Sequence, residues 1–373
     1  MGSPVHIYIP NLGPGGAQPV MIGLANEFKR RGIETHLIAN TAAGFWREAI
    51  DPKITLHDLK APNAFSALFK LSGLLRAKRP KVVLSAMTHA NLVAILARLI
   101  GFSEAKVVIS EHHACSKWLA GLRRSRRIIF SRLIPLVYPR ADGIVAVANA
   151  AADDLSAVIQ VPRERINVIY NAAPDQPAID DLSPPSHPWF QSPGPPLMLA
   201  AGRLEPQKDF ANLVRAFAIL RRGRPARLMI LGEGRQRDEL QALAETLGIA
   251  GDVCLMGQVS SALPYMKHAA LFVLSSRFEG FPVVLVEALA CGTPVVSTDC
   301  ESGPREILLN STIGHLVPVG NAEALAEAMA KALDHPGNNR QRKARVADLT
   351  LERTADAYLE VLRHVTAGDA GQA

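Results

Sequence analysis

The chain has 373 residues, of which 48% are hydrophobic and 20% charged; that is too long for one ordinary domain and sufficient for two cores of roughly 150–200 residues each. This balance excludes a disordered, collagenous or coiled-coil protein. The net charge of +7 conceals an asymmetry, with residues 1–170 at +11 and the remainder at −4, and the basic half points to nucleic acid, an anionic membrane surface or a phosphorylated substrate.

Residues 5–10 read as a strand, not as the basic-then-apolar opening of a signal peptide. A glycine-rich loop and a helix over 17–31 follow. Short apolar runs recur at 34–39, 81–85, 106–110, 143–147 and 167–170, mostly separated by stretches of helical periodicity. The apolar stretch at 82–101 is interrupted by His89, Asn91 and Arg98, and no run reaches the ~20 residues of a spanning helix. Eight prolines between Pro174 and Pro196 then break the pattern and read as an interdomain linker over 174–196. Beyond it the alternation restarts, with strands at 197–202, 227–232, 253–257, 271–275 and 294–298. Helices are predicted over 210–222, 236–247 and 322–333, with one more starting near Pro282. The last helix, 351–365, follows a polar basic stretch, and the small polar tail 367–373 is expected to be disordered.

Buried strands each followed by a helix predict parallel sheets with right-handed crossovers. The fold class is therefore α/β, with two doubly wound Rossmann-like domains facing across a cleft: 1–173, then the linker, then 197–350. Ligands of such sheets sit beyond the carboxyl ends of the strands. The four cysteines (Cys115, Cys254, Cys291, Cys300) show no metal-ligand spacing and fit reduced thiols in a cytosolic compartment. Aromatic residues are only 5% and do not interleave with the basic ones, which ranks nucleic acid last among the partners.

Three segments carry chemistry. In Asn11-Leu12-Gly13-Pro14-Gly15-Gly16-Ala17, Gly15 and Gly16 let the backbone approach a ligand at the start of a helix, where free N–H groups favour an anion. It is neither a GxGxxG fingerprint nor a Walker loop, which disfavours a dinucleotide oxidoreductase. In Gly202-Arg203-Leu204-Glu205-Pro206-Gln207-Lys208, two cations at a strand's carboxyl end can converge on a diphosphate. In the stretch from Phe278 to Val296, Glu279 follows a strand and Glu287 lies on the next helix. Between them Gly280 and Pro282 set up a helix N-terminus whose amides point at the cleft. Carboxylates there suit the vicinal hydroxyls of a sugar or ribose, while a salt bridge is the structural reading of Glu287.

The order of these segments, with Gly232-Glu233-Gly234 and the run E-G-F-P-x4-E-A-x2-C-G-T-P-V-V, resembles the retaining glycosyltransferases of family 4, with the GT-B fold, over nearly the whole chain. The resemblance implies a nucleotide diphospho-sugar donor held mainly by the second domain, UDP favoured over GDP, and no required metal; the sequence contains no Asp-x-Asp. It implies that Arg203 and Lys208 hold the diphosphate, Glu279 a sugar hydroxyl and Glu287 the ribose. Gly202, Gly232, Gly280 and the backbone N–H groups near Phe281, Pro282 and Val283 complete the donor site, and Gly15 and Gly16 help to neutralise the leaving group. His112, at the end of the strand at 106–110, corresponds to a histidine near the donor sugar, with His113 as the alternative. Glu306 falls in a segment similar to the family's Gly-x-x-Glu loop, and Tyr170-Asn171-Ala172 resembles its Pro-Asn-Gly. The family commonly returns its C-terminal helix, here 351–366, to the first domain.

The acceptor side is read from residues 116–140, which hold no acid. Arg123, Arg124, Arg126 and Arg127 alternate there with Trp118, Ile128, Ile129 and Phe130. Such a segment lies on anionic lipid, grips a polyprenyl-diphosphate-linked glycan acceptor, or forms a solvated basic face. The resulting expectation is a hexosyl- or N-acetylhexosaminyltransferase, cytoplasmic and peripheral at the inner membrane face. A sugar-nucleotide epimerase or hydrolase of the same architecture and a non-catalytic sugar-nucleotide-binding protein are the alternatives.

Overall fold

The structure, a computed structural model, describes residues 3–367. It divides into two compact units, one formed by residues up to 172 together with those from 351, the other by 173–350. The tail expected to be disordered lies, Ala367 apart, outside the described residues.

The first unit is built on seven strands: β1 (Val5–Ile9), β2 (Thr35–Ala39), β3 (Thr55–Asp58), β4 (Val82–Ala86), β5 (Lys106–Glu111), β6 (Gly143–Ala146) and β7 (Ile166–Val168). All pair in parallel in the order β3-β2-β1-β4-β5-β6-β7. β1 and β4 are buried at every position, as a strand covered on both faces must be. The helix Leu351–Ala367 packs on the helix Ala17–Arg30 and places Ala355, Tyr358, Leu359 and Leu362 in this unit's core. The Tyr358 hydroxyl lies 2.8 Å from Ser110 Oγ, at the end of β5.

On β1, β2 and β3, His6, His36 and His57 stack side by side, with ring centroids 4.4 and 5.2 Å apart. His36 Nδ1 is 2.8 Å from His57 Nε2. Burial, then the neighbouring histidines, pushes His6 down to about 4.

The second unit repeats the design with six parallel strands: β8 (Leu197–Ala201), β9 (Arg227–Leu231), β10 (Val253–Gly257), β11 (Leu271–Leu274), β12 (Val295–Thr298) and β13 (His315–Val317). Their order is β10-β9-β8-β11-β12-β13. In each sheet the first strand of the unit sits where the strand order reverses, so the loops beyond the carboxyl ends of β1 and β4, and of β8 and β11, are splayed apart at a crevice.

Two stretches differ from expectation. The proline-rich segment holds two short helices, Gln176–Asp180 and Pro188–Gln191, each with proline in its first turn, where the missing N–H costs nothing. They belong to the second unit. Lys267 Nζ donates to the carbonyls of Asp180 and Leu182, and Phe190 packs edge-on against Tyr265. The polar stretch before the last helix also coils, as Asn339–Val346, because buried Arg342 donates to the carbonyls of Gly292 and Pro336.

Candidate active site

In the second unit the loops beyond β8, β9, β11 and β12 interlock. Gly202 and Gly232 adopt φ values of +154° and +131°, and a Cβ on Gly232 would lie 2.0 Å from the Gly202 carbonyl oxygen. Only glycine permits that approach of two backbones. Leu204 N–H donates to Glu233 O, and Gln236 N–H donates back to Leu204 O. The β8 loop is thereby fixed against the β9 loop, and Gly234 packs on Leu204 O, where a Cβ would meet it at 2.4 Å.

Lys208 Nζ donates to Glu279 Oε1 at 2.6 Å, and Ser276 Oγ donates to the same oxygen at 2.6 Å. Glu279 is buried and Lys208 nearly so, so this charge pair is shielded from water. The surrounding loop is tied on each side. Gln207 Nε2 donates to Phe278 O, Arg277 N–H to Gln207 O, and Ser302 Oγ to Glu279 O. Gly303, at φ +85°, lies against Gly280 O and Pro282 Cδ, each 2.6 Å from where its Cβ would be. The β12 loop and the short helix Pro304–Ile307, which carries Glu306, thereby brace the Gly280–Pro282 turn. Arg203 is exposed, and after Arg235 it helps hold the Glu205 carboxyl below its ordinary value.

The helix Val283–Ala290 starts directly after Pro282 and carries Glu287 in its second turn. No side-chain partner for the Glu287 carboxylate occurs among the described residues, and desolvation pushes its pKa up to about 7. The salt-bridge reading of Glu287 is therefore not what this geometry offers. A half-buried carboxyl with free acceptors can take hydrogen bonds from a diol.

In the first unit, Gly15 precedes and Gly16 caps the helix Ala17–Arg30. The Gln18 side chain folds back so closely that a Cβ on Gly15 would lie 2.4 Å from its Oε1. His112 Nε2 lies 3.2 Å from Ser110 Oγ, and burial followed by the charge of His113 pushes it down to about 3. It is therefore a neutral imidazole near neutral pH.

His113 joins a cluster that sequence reasoning missed. Glu111 is completely buried, and its carboxylate accepts from Thr88 Oγ1 at 2.9 Å and from the Tyr138 hydroxyl at 2.8 Å. His113 Nδ1 stands 3.4 Å from that carboxylate and Nε2 3.2 Å from Thr88 Oγ1, while its ring lies parallel to Trp118 at 5.9 Å. Thr88 and Tyr138 are 23 and 27 residues from Glu111, so nothing local announces the cluster. The acid directly before two histidines at a strand's end was the available signal. Ser276 and Ser302 were likewise passed over, although both flank strand ends beside Glu279.

The basic segment forms two helices, Cys115–Ala120 and Arg124–Val137, broken at Gly121–Arg123. Only Ile134 and Val137 of the second are buried. Arg123, Arg124, Arg126 and Arg127 are all exposed, as are Ile128, Ile129 and Leu136. No group of three or more His, Cys, Asp or Glu side chains able to hold a metal ion occurs among the described residues.

Two family profiles match the chain: Glycosyltransferase Family 4 over residues 14–176 and Glycosyl transferases group 1 over 187–347. A Campylobacter jejuni protein, N-acetylgalactosamine-N,N'-diacetylbacillosaminyl-diphospho-undecaprenol 4-alpha-N-acetylgalactosaminyltransferase, is 29% identical over 91% of both chains. Among solved structures, sucrose-phosphate synthase from Thermosynechococcus elongatus superposes with a TM-score of 0.83 at 18% identity, over 98% of this chain and all of the other. Anabaena HepE, crystallised with UDP and glucose, gives 0.78 at 17% identity, over 97% of this chain and all of the other.

Proposed function

Because the chain belongs to the family 4 and group 1 glycosyltransferases and has the GT-B fold, we propose that it is a retaining, metal-independent hexosyl- or N-acetylhexosaminyltransferase that takes its sugar from a UDP-linked donor. The observation that carries this reading is the shielded Lys208–Glu279 pair, clamped by Ser276 and Ser302 at the point where the second sheet reverses. A site that fixes a cation and a carboxylate side by side can meet a diphosphate and a sugar hydroxyl together.

In the proposed reaction the bond from the sugar's anomeric carbon to the diphosphate oxygen breaks, and the pair of electrons leaves with the nucleoside diphosphate. An acceptor hydroxyl forms the new bond on the same face, and its proton passes to the departing phosphate oxygen. No protein carboxylate acts as nucleophile. Arg203, Lys208 and the amides around Gly280–Val283 neutralise the leaving group, with Gly202 and Gly232 giving the backbone clearance. Glu279 orients the donor sugar and Glu287 the ribose. From the first unit the proposal takes neutral His112 as a hydrogen-bonding partner of the sugar and Gly15–Gly16 as further amide donors. The acceptor is a lipid-linked glycan at the cytoplasmic membrane face, approached through the arginines of 123–127. This accords with the acceptor named for the Campylobacter relative and with the exposed cations and Ile128, Ile129 and Leu136.

Thermal melts with UDP, GDP and ADP, each with EDTA, test the donor site. A ligand present at a hundred times its dissociation constant stabilises by ~2.7 kcal/mol. A shift with UDP that EDTA leaves intact is the expected result. A shift with GDP alone replaces the donor, loss of the shift in EDTA overturns metal independence, and no shift with any nucleotide overturns the site. The anomeric configuration of the product, read by NMR, decides retention.

A further inference from the structure

A second surface of the first unit shares the arginine helix's chemistry. The helix Ala64–Lys78 presents Phe65 and Phe69 one turn apart, 72% and 51% exposed, in edge-to-face contact at 4.9 Å. The helix Thr88–Ile100 packs beside it and ends in Leu99, Ile100 and then Phe102, which is 92% exposed. These are not scattered side chains. Among the described residues twelve large hydrophobics are exposed; five lie here and three more on the helix Arg124–Val137, which also packs on Thr88–Ile100. Patches this concentrated mark interaction surfaces.

The projection of Phe102 is built in. Its φ is +47°, an unfavourable conformation for a bulky residue. The turn is held by Phe102 N–H to Leu99 O at 3.3 Å and Ser103 N–H to Arg98 O at 3.1 Å. Gly101 presses on Ser72, where a Cβ would lie 2.7 Å from Oγ, so the Phe102 turn rests one turn beyond Phe69. The backbone that leads into Phe102 thus lies against the turn of Ala64–Lys78 that follows Phe69.

Charge says what covers it. Residues 59–103 contain seven Lys or Arg and no Asp or Glu. Arg98 is neutralised by Asp142, but Arg76, Lys78, Arg79 and Lys81 are exposed around the lower end of the helix. Glu104, exposed beside Phe102, marks the ridge's edge. Exposed rings rimmed by cations match a bilayer that contains anionic lipid: the rings enter the boundary between headgroups and acyl chains, while long basic side chains reach the phosphates.

We propose that Phe65, Phe69 and Phe102 form a second membrane-docking ridge, separate from the arginine helix, which inserts into the surface of an anionic bilayer. It deepens the reading of that helix as a membrane-facing element and rests on it for the bilayer as partner. Two anchors fix an orientation where one permits pivoting, and several weak membrane contacts together hold far better than one.

The test is cosedimentation of the full chain with vesicles of phosphatidylcholine alone and with added phosphatidylglycerol. Wild type is expected to partition onto the phosphatidylglycerol vesicles in preference to the neutral ones. The triple variant Phe65→Ser, Phe69→Ser, Phe102→Ser is expected to lose about tenfold or more of that partition while keeping its melting temperature and its UDP-induced shift. The pair Arg124→Glu, Arg127→Glu reports separately on the arginine helix. Triple-variant binding equal to wild type overturns the ridge and leaves the helix standing; no wild-type binding overturns both. Self-association that the triple variant abolishes, without vesicle binding, reassigns the ridge to a protein interface. If UDP gives no shift but the triple variant still loses vesicle binding, the donor assignment fails and the ridge stands.

Discussion

Lys208 and Glu279, 71 residues apart in the chain, meet at 2.6 Å with Ser276 on the same carboxylate oxygen. Neither side chain is free to reorient without leaving the other's charge poorly solvated. Lys208→Ala is expected to lower turnover about a hundredfold or more, the loss of one preorganised donor being ~2.7–4 kcal/mol. Glu279→Gln should cost a similar factor. The double variant should fall well short of the product of the two, because the residues act as a unit. Steady-state kinetics on variants shown to be folded by circular dichroism check this, and near-wild-type turnover in Lys208→Ala would sink the assignment.

Glu287 supplies a pH signature. Burial raises its folded-state pKa to about 7, above its unfolded value, so the folded protein holds the proton more tightly. Its contribution to stability is therefore greatest at low pH and declines as pH rises from about 4.5 through 7. If the ionised form binds the ribose hydroxyls, UDP affinity should rise over that range, opposite in direction to stability. Calorimetric titrations from pH 6 to 8 on wild type and Glu287→Gln test this, the variant being expected to lose the pH dependence.

Two histidines set an acid limit on the first unit. Burial pushes His6 down to about 4 and His112 to about 3, each below the unfolded value near 6.5. The unfolded chain thus takes up protons first, and stability should fall as pH drops from about 6.5 towards 4. His6→Phe keeps a ring against His36 and removes the titrating group. Scanning calorimetry should show a shallower acid slope for that variant.

Gly232→Ala is expected to unfold or shift the β8 and β9 loops. Its φ is +131°, and the new methyl would sit 2.0 Å from the Gly202 carbonyl oxygen, a backbone atom that cannot swing aside. Strained backbone of this kind costs on the order of 1–3 kcal/mol before the clash is counted. A lowered melting temperature together with loss of the UDP-induced shift is the expected outcome. Gly16→Ala, with nothing within 4 Å of the added methyl, should leave melting nearly unchanged.

Elements with buried apolar strands were legible because such strands cannot be polar: β1, β4 and β8 are buried throughout and stand out as runs. The edge strands β3 and β13 were not. Thr-Leu-His-Asp and His-Leu-Val carry no apolar run, and only pairing with β2 and β12 makes them strands. The helix Asn339–Val346 was hidden for a related reason, since its main anchor is the guanidinium of Arg342 on Gly292 O rather than an apolar stripe. At the site, motifs pointed to Lys208, Glu279 and Glu287. What they could not convey is that Lys208 is already engaged with Glu279 while Glu287 has no such partner among the described residues. Nor could they reveal the Glu111 cluster, whose members come from β5 and from segments on either side of it in the chain.

The return of the helix Leu351–Ala367 to the first unit bears on the order in which the molecule matures. Tyr358, Leu359 and Leu362 fill the first unit's core, and Tyr358 meets Ser110, whose hydroxyl faces His112. During synthesis the second unit, continuous from 173 to 350, has all of its residues outside the ribosome before the first unit does. The part of the chain made first is thus the last to close. A nonsense codon between 350 and 358 would be felt not in the adjacent unit but behind His112, some 240 residues earlier in the chain.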